Sequence, residues 1–174
     1  MISYGILTAS DKGSRGERED LSGQAIKELV SPLGADLVMY QVVPDEKDII
    51  AQKLVDWADN HDLCLILTTG GTGLGPRDMT PDATLSVIDR LVPGIAEVMR
   101  AESLKKTQMA MLSRAVAGVR GRTLIVNLPG SPKAVRECLE AILPALPHAV
   151  EIMRGQASEC ATRPDLHHPA AKDK

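Results

Sequence analysis

A three-layer α/β fold, with a largely parallel sheet covered by helices on both faces, follows from three observations. Strand-like and helix-like segments alternate along the chain, as they do when crossover helices join parallel strands. The segment "LCLILTT" at 63–69 is a near-continuous apolar run, as expected of a central strand buried on both faces. Small or polar clusters recur where the strand-like segments end, and in such a sheet ligands bind outside the carboxyl ends of the strands.

Residues 2–10, "ISYGILTAS", form a short apolar run ending in small polar residues and read as the first strand. The following "DKGSRGERED" reads as a loop. Ile26, Leu29, Val30 and Leu33 then share one helical face, and Gly34 closes that helix. "DLVMYQVV" at 36–43 is strand-like. In "PDEKDIIAQKLVDWADN" the spacing of Ile50, Leu54, Trp57 and Ala58 predicts a helix with one buried stripe. Glu46 and Asp48 suit the positive end of its dipole. Past the central strand lie a short helix from Pro81, a second from about Gly94 to Lys105, and "MAMLSRAVAG", which fits neither period. "RTLIVNL" at 122–128 is another strand. "PGSPKAVRECLEAIL" turns into a helix with Val135, Cys138, Leu139 and Ile142 inward. Pro144 and Pro147 each remove a helix hydrogen bond, so this helix kinks or splits there. No internal repeat or linker marks a second domain. Residues 1–155 are expected to form one domain, and 156–174, without apolar periodicity, a mobile tail.

Composition narrows the function classes. Hydrophobic residues make up 44% of the 174 and charged ones 25%, the profile of a soluble globular protein. With no Phe, one Trp and two Tyr, the core must be aliphatic, and base-stacking surfaces for single-stranded nucleic acid are not expected. A net charge of -3 gives no reason to expect binding to nucleic acid or an anionic membrane, so any bound anion must be gripped locally. Cys64, Cys138 and Cys160 are odd in number and far apart, forming neither a disulfide framework nor a zinc spacing. No signal peptide precedes the apolar start at Ile2, and no apolar run nears the roughly 20 residues that cross a bilayer. A cytoplasmic protein is expected.

Polar residues converge at the expected strand ends. The first strand delivers Thr8, Ser10 and Asp11, the second Pro44 and Asp45, and the last Asn127, Pro129, Gly130 and Ser131. The third delivers "TTGGTGLGPRDMTPDAT", with four glycines in six residues (Gly70, Gly71, Gly73 and Gly75), Thr72 among them, then Arg77 and Asp78. Each cluster also has an architectural reading. Asp45 suits a helix cap, Thr80 before Pro81 a natural N-cap, and Ser131 before Pro132 another. Ser10 and Asp11 could merely close a strand. His167 and His168, in a polar tail, are expected to be solvated, and Ser113 has no nearby His to make it a hydrolase nucleophile. The glycine loop lacks the Gly-Lys-Ser/Thr ending of a P-loop, and Pro76 stands where a dinucleotide fingerprint needs its third glycine. A tight turn needs only one or two of its glycines. Four, followed by a charged pair, predict backbone amides cradling a phosphorylated ligand.

The loop resembles the signature of the molybdopterin adenylyltransferase family of molybdenum cofactor biosynthesis, which includes the G domains of gephyrin and its plant counterpart. The likeness continues through "SDKGSRGERED-LSG", "VPDE", "MLSRAVAG" and "NLPGSPKAV", covering the chain up to about Gly155. The resemblance implies that family's fold, a homotrimer, and transfer of AMP from ATP to molybdopterin with magnesium, releasing pyrophosphate. It implies that Asp45 and Asp78 are the catalytic aspartates and candidate magnesium ligands. Ser10, Asp11, Gly70, Gly71, Thr72, Gly73, Arg77, Ser113, Asn127, Pro129, Gly130 and Ser131 would bind substrate, with Arg114 or Lys133 as further donors. The resemblance does not extend to the family's larger metal-insertion domain, so molybdate insertion is expected to fall to a separate protein. The alternative is a non-catalytic pterin-binding or scaffold protein of the same fold; Arg77 beside Asp78 favours the enzyme.

Overall fold

The computed structural model of the chain describes residues 2–155. Six strands form one sheet in the order β2-β1-β3-β6-β5-β4. The chain starts in β1 (Ser3–Ala9), passes a short helical turn α1 (Asp11–Ser14) and helix α2 (Leu21–Val30), and returns as β2 (Asp36–Val43). Helix α3 (Lys47–Asp59) leads to the central strand β3 (Leu65–Thr69), followed by α4 (Thr80–Leu85), β4 (Arg90–Leu91) and α5 (Pro93–Leu104). Strands β5 (Ala117–Arg120) and β6 (Thr123–Leu128) precede α6 (Pro132–Ile142) and α7 (Leu146–Met153). Strands β2, β1, β3 and β6 are mutually parallel, whereas β5 and β4 add an antiparallel edge. The largely parallel sheet expected from the alternation is present.

Alternation along the strands feeds two cores. Tyr4, Ile6, Leu65, Leu67, Leu124 and Val126 pack against α2, α5, α6 and α7 on one face. Leu7, Ile66 and Ile125 pack against α3 and α4 on the other. The predicted stripe of α3 is buried as expected, and Trp57 is fully enclosed. Its indole packs against β1, where Gly5 makes room: a Cβ there would meet the ring at 2.8 Å.

Several local readings change. The "DKGSRGERED" stretch is not wholly loop, because Ser10 caps α1 by accepting the Gly13 N–H at 3.0 Å. The ambiguous "MAMLSRAVAG" resolves into a 3-10 turn at Gln108–Leu112 and the start of β5. The C-terminal helix does split, with a 3-10 turn at Leu143–Ala145 before α7. Thr80 is not an N-cap: α4 already includes it, Met79 takes the cap position, and no side chain caps that helix. Ser131 does cap α6, accepting the Ala134 N–H. Among the described residues no helix is long and apolar enough to cross a membrane. The expected mobile tail, with Cys160, His167 and His168, lies outside the described residues.

Strand order places a topological switch between β1 and β3, where successive connections leave in opposite directions. There Gly70 leaves β3 at φ +90, and a Cβ on it would lie 2.3 Å from the Ala9 carbonyl oxygen. Gly70→Ala is therefore expected to cost about 2–5 kcal/mol from backbone strain and overpacking together. Gly94→Ala, in α5 with open space around it, should change stability by under about 1 kcal/mol. Urea unfolding of both variants measures the contrast; equal stabilities would refute it.

Candidate functional site

The carboxyl ends of β1, β2, β3 and β6 open on one cleft of about 630 Å³. Thr8 and Ser10 reach it from β1, Asp45 from behind β2, Thr69, Gly70, Gly71 and Asp78 from behind β3, and Gly130 and Ser131 from behind β6. Residues 18–22 form a further wall. The next two residues of the glycine loop, Thr72 and Gly73, line a second cavity of about 290 Å³ with Ser113, Pro129, Met99 and Leu112. Of the residues expected to meet a ligand, Ser10, Asp45, Gly70, Gly71, Asp78, Gly130 and Ser131 thus gather at the larger cleft, and Thr72, Gly73, Ser113 and Pro129 at the smaller.

The four loop glycines divide their work. Gly70 and Gly71 take positive φ, of 90 and 61, and make the turn. Gly73 and Gly75 do not; they clear space for Asp78, whose Oδ2 lies 2.9 and 2.8 Å from where their Cβ atoms would stand. Asp78 Oδ2 accepts the Gly75 N–H at 2.7 Å, closing the loop on itself. The carbonyls of Gly71, Thr72 and Gly73 accept from Thr80 N, Arg114 N and Arg114 Nε. Because trans peptides point C=O and N–H in opposite directions, the amides of Thr72, Gly73 and Leu74 are turned away from these partners. Amides freed in this way are of the type that can donate to an anion, and they fall slightly further along the loop than the expected Gly70–Gly73.

Arg114 is committed to holding this loop. Besides Gly73 it binds the Asp78 carbonyl and pairs with both oxygens of Asp82 at 3.2 and 2.8 Å. The pairing holds the Asp82 carboxyl below its ordinary range. Arg114 is therefore a structural staple rather than the free phosphate donor suggested by the resemblance. Arg77 is also engaged: it forks onto Asp11 at 2.8 and 3.1 Å and reaches Glu46 at 2.9 Å. Asp11 and Arg77 form a bracket beside the cleft and line neither cavity. Asn127 lines neither as well; it is fully buried, donating to Thr68 and Thr84 and accepting from the Val116 N–H.

Asp45 is no helix cap. It exchanges bonds with Asp11, each carboxylate accepting the other's backbone N–H, at 2.8 and 3.1 Å. Burial raises the Asp45 carboxyl above its ordinary value, the charges of Asp11 and Asp78 add to the rise, and the Asp11 N–H opposes it. Asp11 moves the other way, lowered chiefly by its Arg77 bonds. Close to Asp45, beside Gly71, lies the Thr80 hydroxyl, fully buried and without a partner among the described residues. Sequence reading missed Asp20, which accepts from Thr8 Oγ1, Tyr40 Oη and Gly23 N and so fixes the 18–22 wall. Its place just before a helix was the one available signal, and that signal indicates a cap. Among the described residues no three His, Cys, Asp or Glu side chains group as a metal cage.

Residues 5–148 match the family described as "Probable molybdopterin binding domain". A molybdopterin adenylyltransferase of Helicobacter pylori (strain J99) is 47% identical over 156 residues, covering 88% of this chain and 89% of its own. Gephyrin of Dictyostelium discoideum is 42% identical over 173 residues, covering 94% of this chain but 24% of its own. The crystal structure of the molybdopterin biosynthesis enzyme MoaB from Thermus thermophilus superposes with a TM-score of 0.85 at 57% identity, over 91% of this chain and 100% of that one.

Two variants test the geometry. Thr80→Val removes a buried hydroxyl that has no partner among the described residues, so its Tm should equal or exceed that of the wild type. Asp82→Asn should cost about 1 kcal/mol at pH 7, a figure discounted because the pair is about a third exposed. The Asp82 carboxyl is depressed in the fold, so its contribution is present above the unfolded value near 3.8 and fades as pH falls below it. The gap between Asp82→Asn and wild type should narrow as acid unfolding is followed to pH values below 3.8.

Proposed function

The chain belongs to the molybdopterin-binding domain family, and from that premise we propose that it is a molybdopterin adenylyltransferase. It would join AMP from ATP to the terminal phosphate of molybdopterin and release pyrophosphate, a step of molybdenum cofactor biosynthesis. The observation that carries this reading is that Asp45 and Asp78 line one cleft with the turn of the glycine loop.

The chemistry asks little of a base. The attacking pterin phosphate is already anionic at neutral pH, so catalysis consists of aligning two anions and offsetting their repulsion. Asp45 and Asp78 suit magnesium, which commonly takes one or two carboxylates and completes its shell with substrate phosphates and water. What supports the fit is Asp45 itself, a half-buried carboxylate whose pKa is raised first by burial and then by the charges of Asp11 and Asp78, a cost that a cation would relieve. When bound, magnesium supplies charge neutralisation between the phosphates. The loop amides cradle a phosphate, while Asp45 and Asp78 fix its direction from opposite strands. The larger cleft, holding both carboxylates, suits the nucleotide. The smaller cavity, with Met99, Met109 and Leu112 as apolar walls and Ser113 and Glu137 as polar edges, suits a flat pterin. A homotrimer, a cytoplasmic location and handover of the product to a separate molybdate-insertion protein complete the proposal.

Mixing the protein with molybdopterin, ATP and magnesium should release pyrophosphate. Asp78→Asn keeps an acceptor for the Gly75 N–H, so it should preserve Tm yet lower kcat by about 100-fold or more. Pterin binding without ATP consumption by the wild type would favour a carrier or scaffold instead.

A further inference from the structure

Arg18 is the one arginine that lines the larger cleft, and three arginines of the loops Arg15–Glu17, Arg77–Asp78 and Ser113–Arg114 are already committed. Arg15 forks onto Glu17, Arg77 onto Asp11 and Glu46, and Arg114 onto Asp82. Arg18 lines the cleft and makes no hydrogen bond or ion pair among the described residues. It is the one cationic residue in the lining, which it shares with Glu19, Asp20, Asp45 and Asp78. A cleft so dominated by carboxylates repels a polyphosphate unless cations are supplied. A magnesium ion held by Asp45 and Asp78 would answer for those two, leaving the outer end of the chain of phosphates unattended. Asp20, for its part, is occupied by Thr8, Tyr40 and the Gly23 N–H and leaves Arg18 unclaimed.

The chain carries Arg18 on a segment fixed at both ends. Ser10 caps α1 before it and Asp20 caps α2 after it, while Gly16, at φ +73, turns the segment between them. Arg18 lies two residues from the Asp20 anchor, so a long, always-charged side chain projects from a placed base. Its planar fork matches phosphate oxygens in pairs.

We propose that Arg18 grips the β- and γ-phosphates of ATP and stabilises the departing pyrophosphate. The inference rests on the adenylyl-transfer reading and adds a residue to it. In the transfer an oxygen of the pterin phosphate bonds to the α-phosphorus while the bond from that phosphorus to the α,β-bridging oxygen breaks. The electron pair leaves with pyrophosphate, and no proton is needed. Negative charge therefore grows on the leaving group, where a guanidinium strengthens its hold as the reaction proceeds.

Steady-state kinetics of wild type, Arg18→Ala and Arg18→Lys, with ATP and pterin varied in turn and pyrophosphate as product inhibitor, test this. Arg18→Ala should raise both the KM for ATP and the inhibition constant of pyrophosphate about tenfold to 100-fold. Its KM for pterin should stay within about twofold and its Tm should be unchanged, since Arg18 holds no structural bond. Arg18→Lys should recover part of the loss. Unchanged ATP and pyrophosphate constants, or a rise confined to the pterin, would overturn the proposal. If the wild type releases no pyrophosphate, the adenylyl-transfer reading falls instead. Calorimetric titration with ATP and magnesium then still decides Arg18: weaker binding by Arg18→Ala supports it, and equal binding refutes it.

Discussion

Gly70 presses its Cα against the end of β1 at a place where no side chain fits. That approach sets the direction in which the chain leaves the central strand, and everything around the cleft depends on it. With Gly71 also turned into the left-handed region, the loop doubles back so that its carbonyls meet Thr80 and Arg114. The amides are left facing the opposite way, and Asp78 is carried to the same cleft as Asp45. Gly130, behind β6, packs against the same Gly70, so three strand ends are bound into one rim. A loop held in this way is fixed in advance, the preorganisation that strong electrostatic stabilisation requires of the proposed phosphate site.

Charge around the rim is arranged in two zones. At the outside, arginines and carboxylates cancel: Arg77 with Asp11 and Glu46, Arg114 with Asp82, Arg15 with Glu17. These pairs are exposed or half-exposed, and their value lies in tying loops together more than in stability. Inside the cleft the balance is left unsettled, with Asp45 raised by burial and by its acidic neighbours. The Thr80 hydroxyl near it lacks a partner among the described residues as well. Buried polar groups left without protein partners at a cleft favour a ligand that satisfies them.

How much of this was legible in the sequence varied with the range of the interaction. Period and punctuation located the α3 stripe, β2, the central strand and the break at Pro144, because each depends on neighbours a few residues away. The antiparallel edge formed by β4 and β5 was obscure: β4 has only two residues, and the stretch before β5 runs as a 3-10 turn with no burial period. The rim suffered most. Arg77 finds Asp11 across 66 residues and Arg114 finds Asp82 across 32, and no local pattern announces either. Asn127 looked like a site residue because it sits at a strand end, yet the inward pleat carries it beneath α4 to Thr84. Thr80 looked like a cap because it precedes Pro81, but α4 begins one residue earlier than that grammar assumes. The glycine count, by contrast, was informative in kind. Two glycines beyond those a turn requires signalled space for something, and that something is the Asp78 carboxylate.

The enclosed indole of Trp57 has a practical consequence. It is the only tryptophan in the chain, wedged between α3 and Gly5 on β1, in the core beneath the strand whose far end forms the cleft. A single fluorophore in a dry, fixed environment emits one blue-shifted band, so intrinsic fluorescence reads the integrity of that core. The molecule thus carries its own optical gauge for separating loss of the scaffold from loss of chemistry.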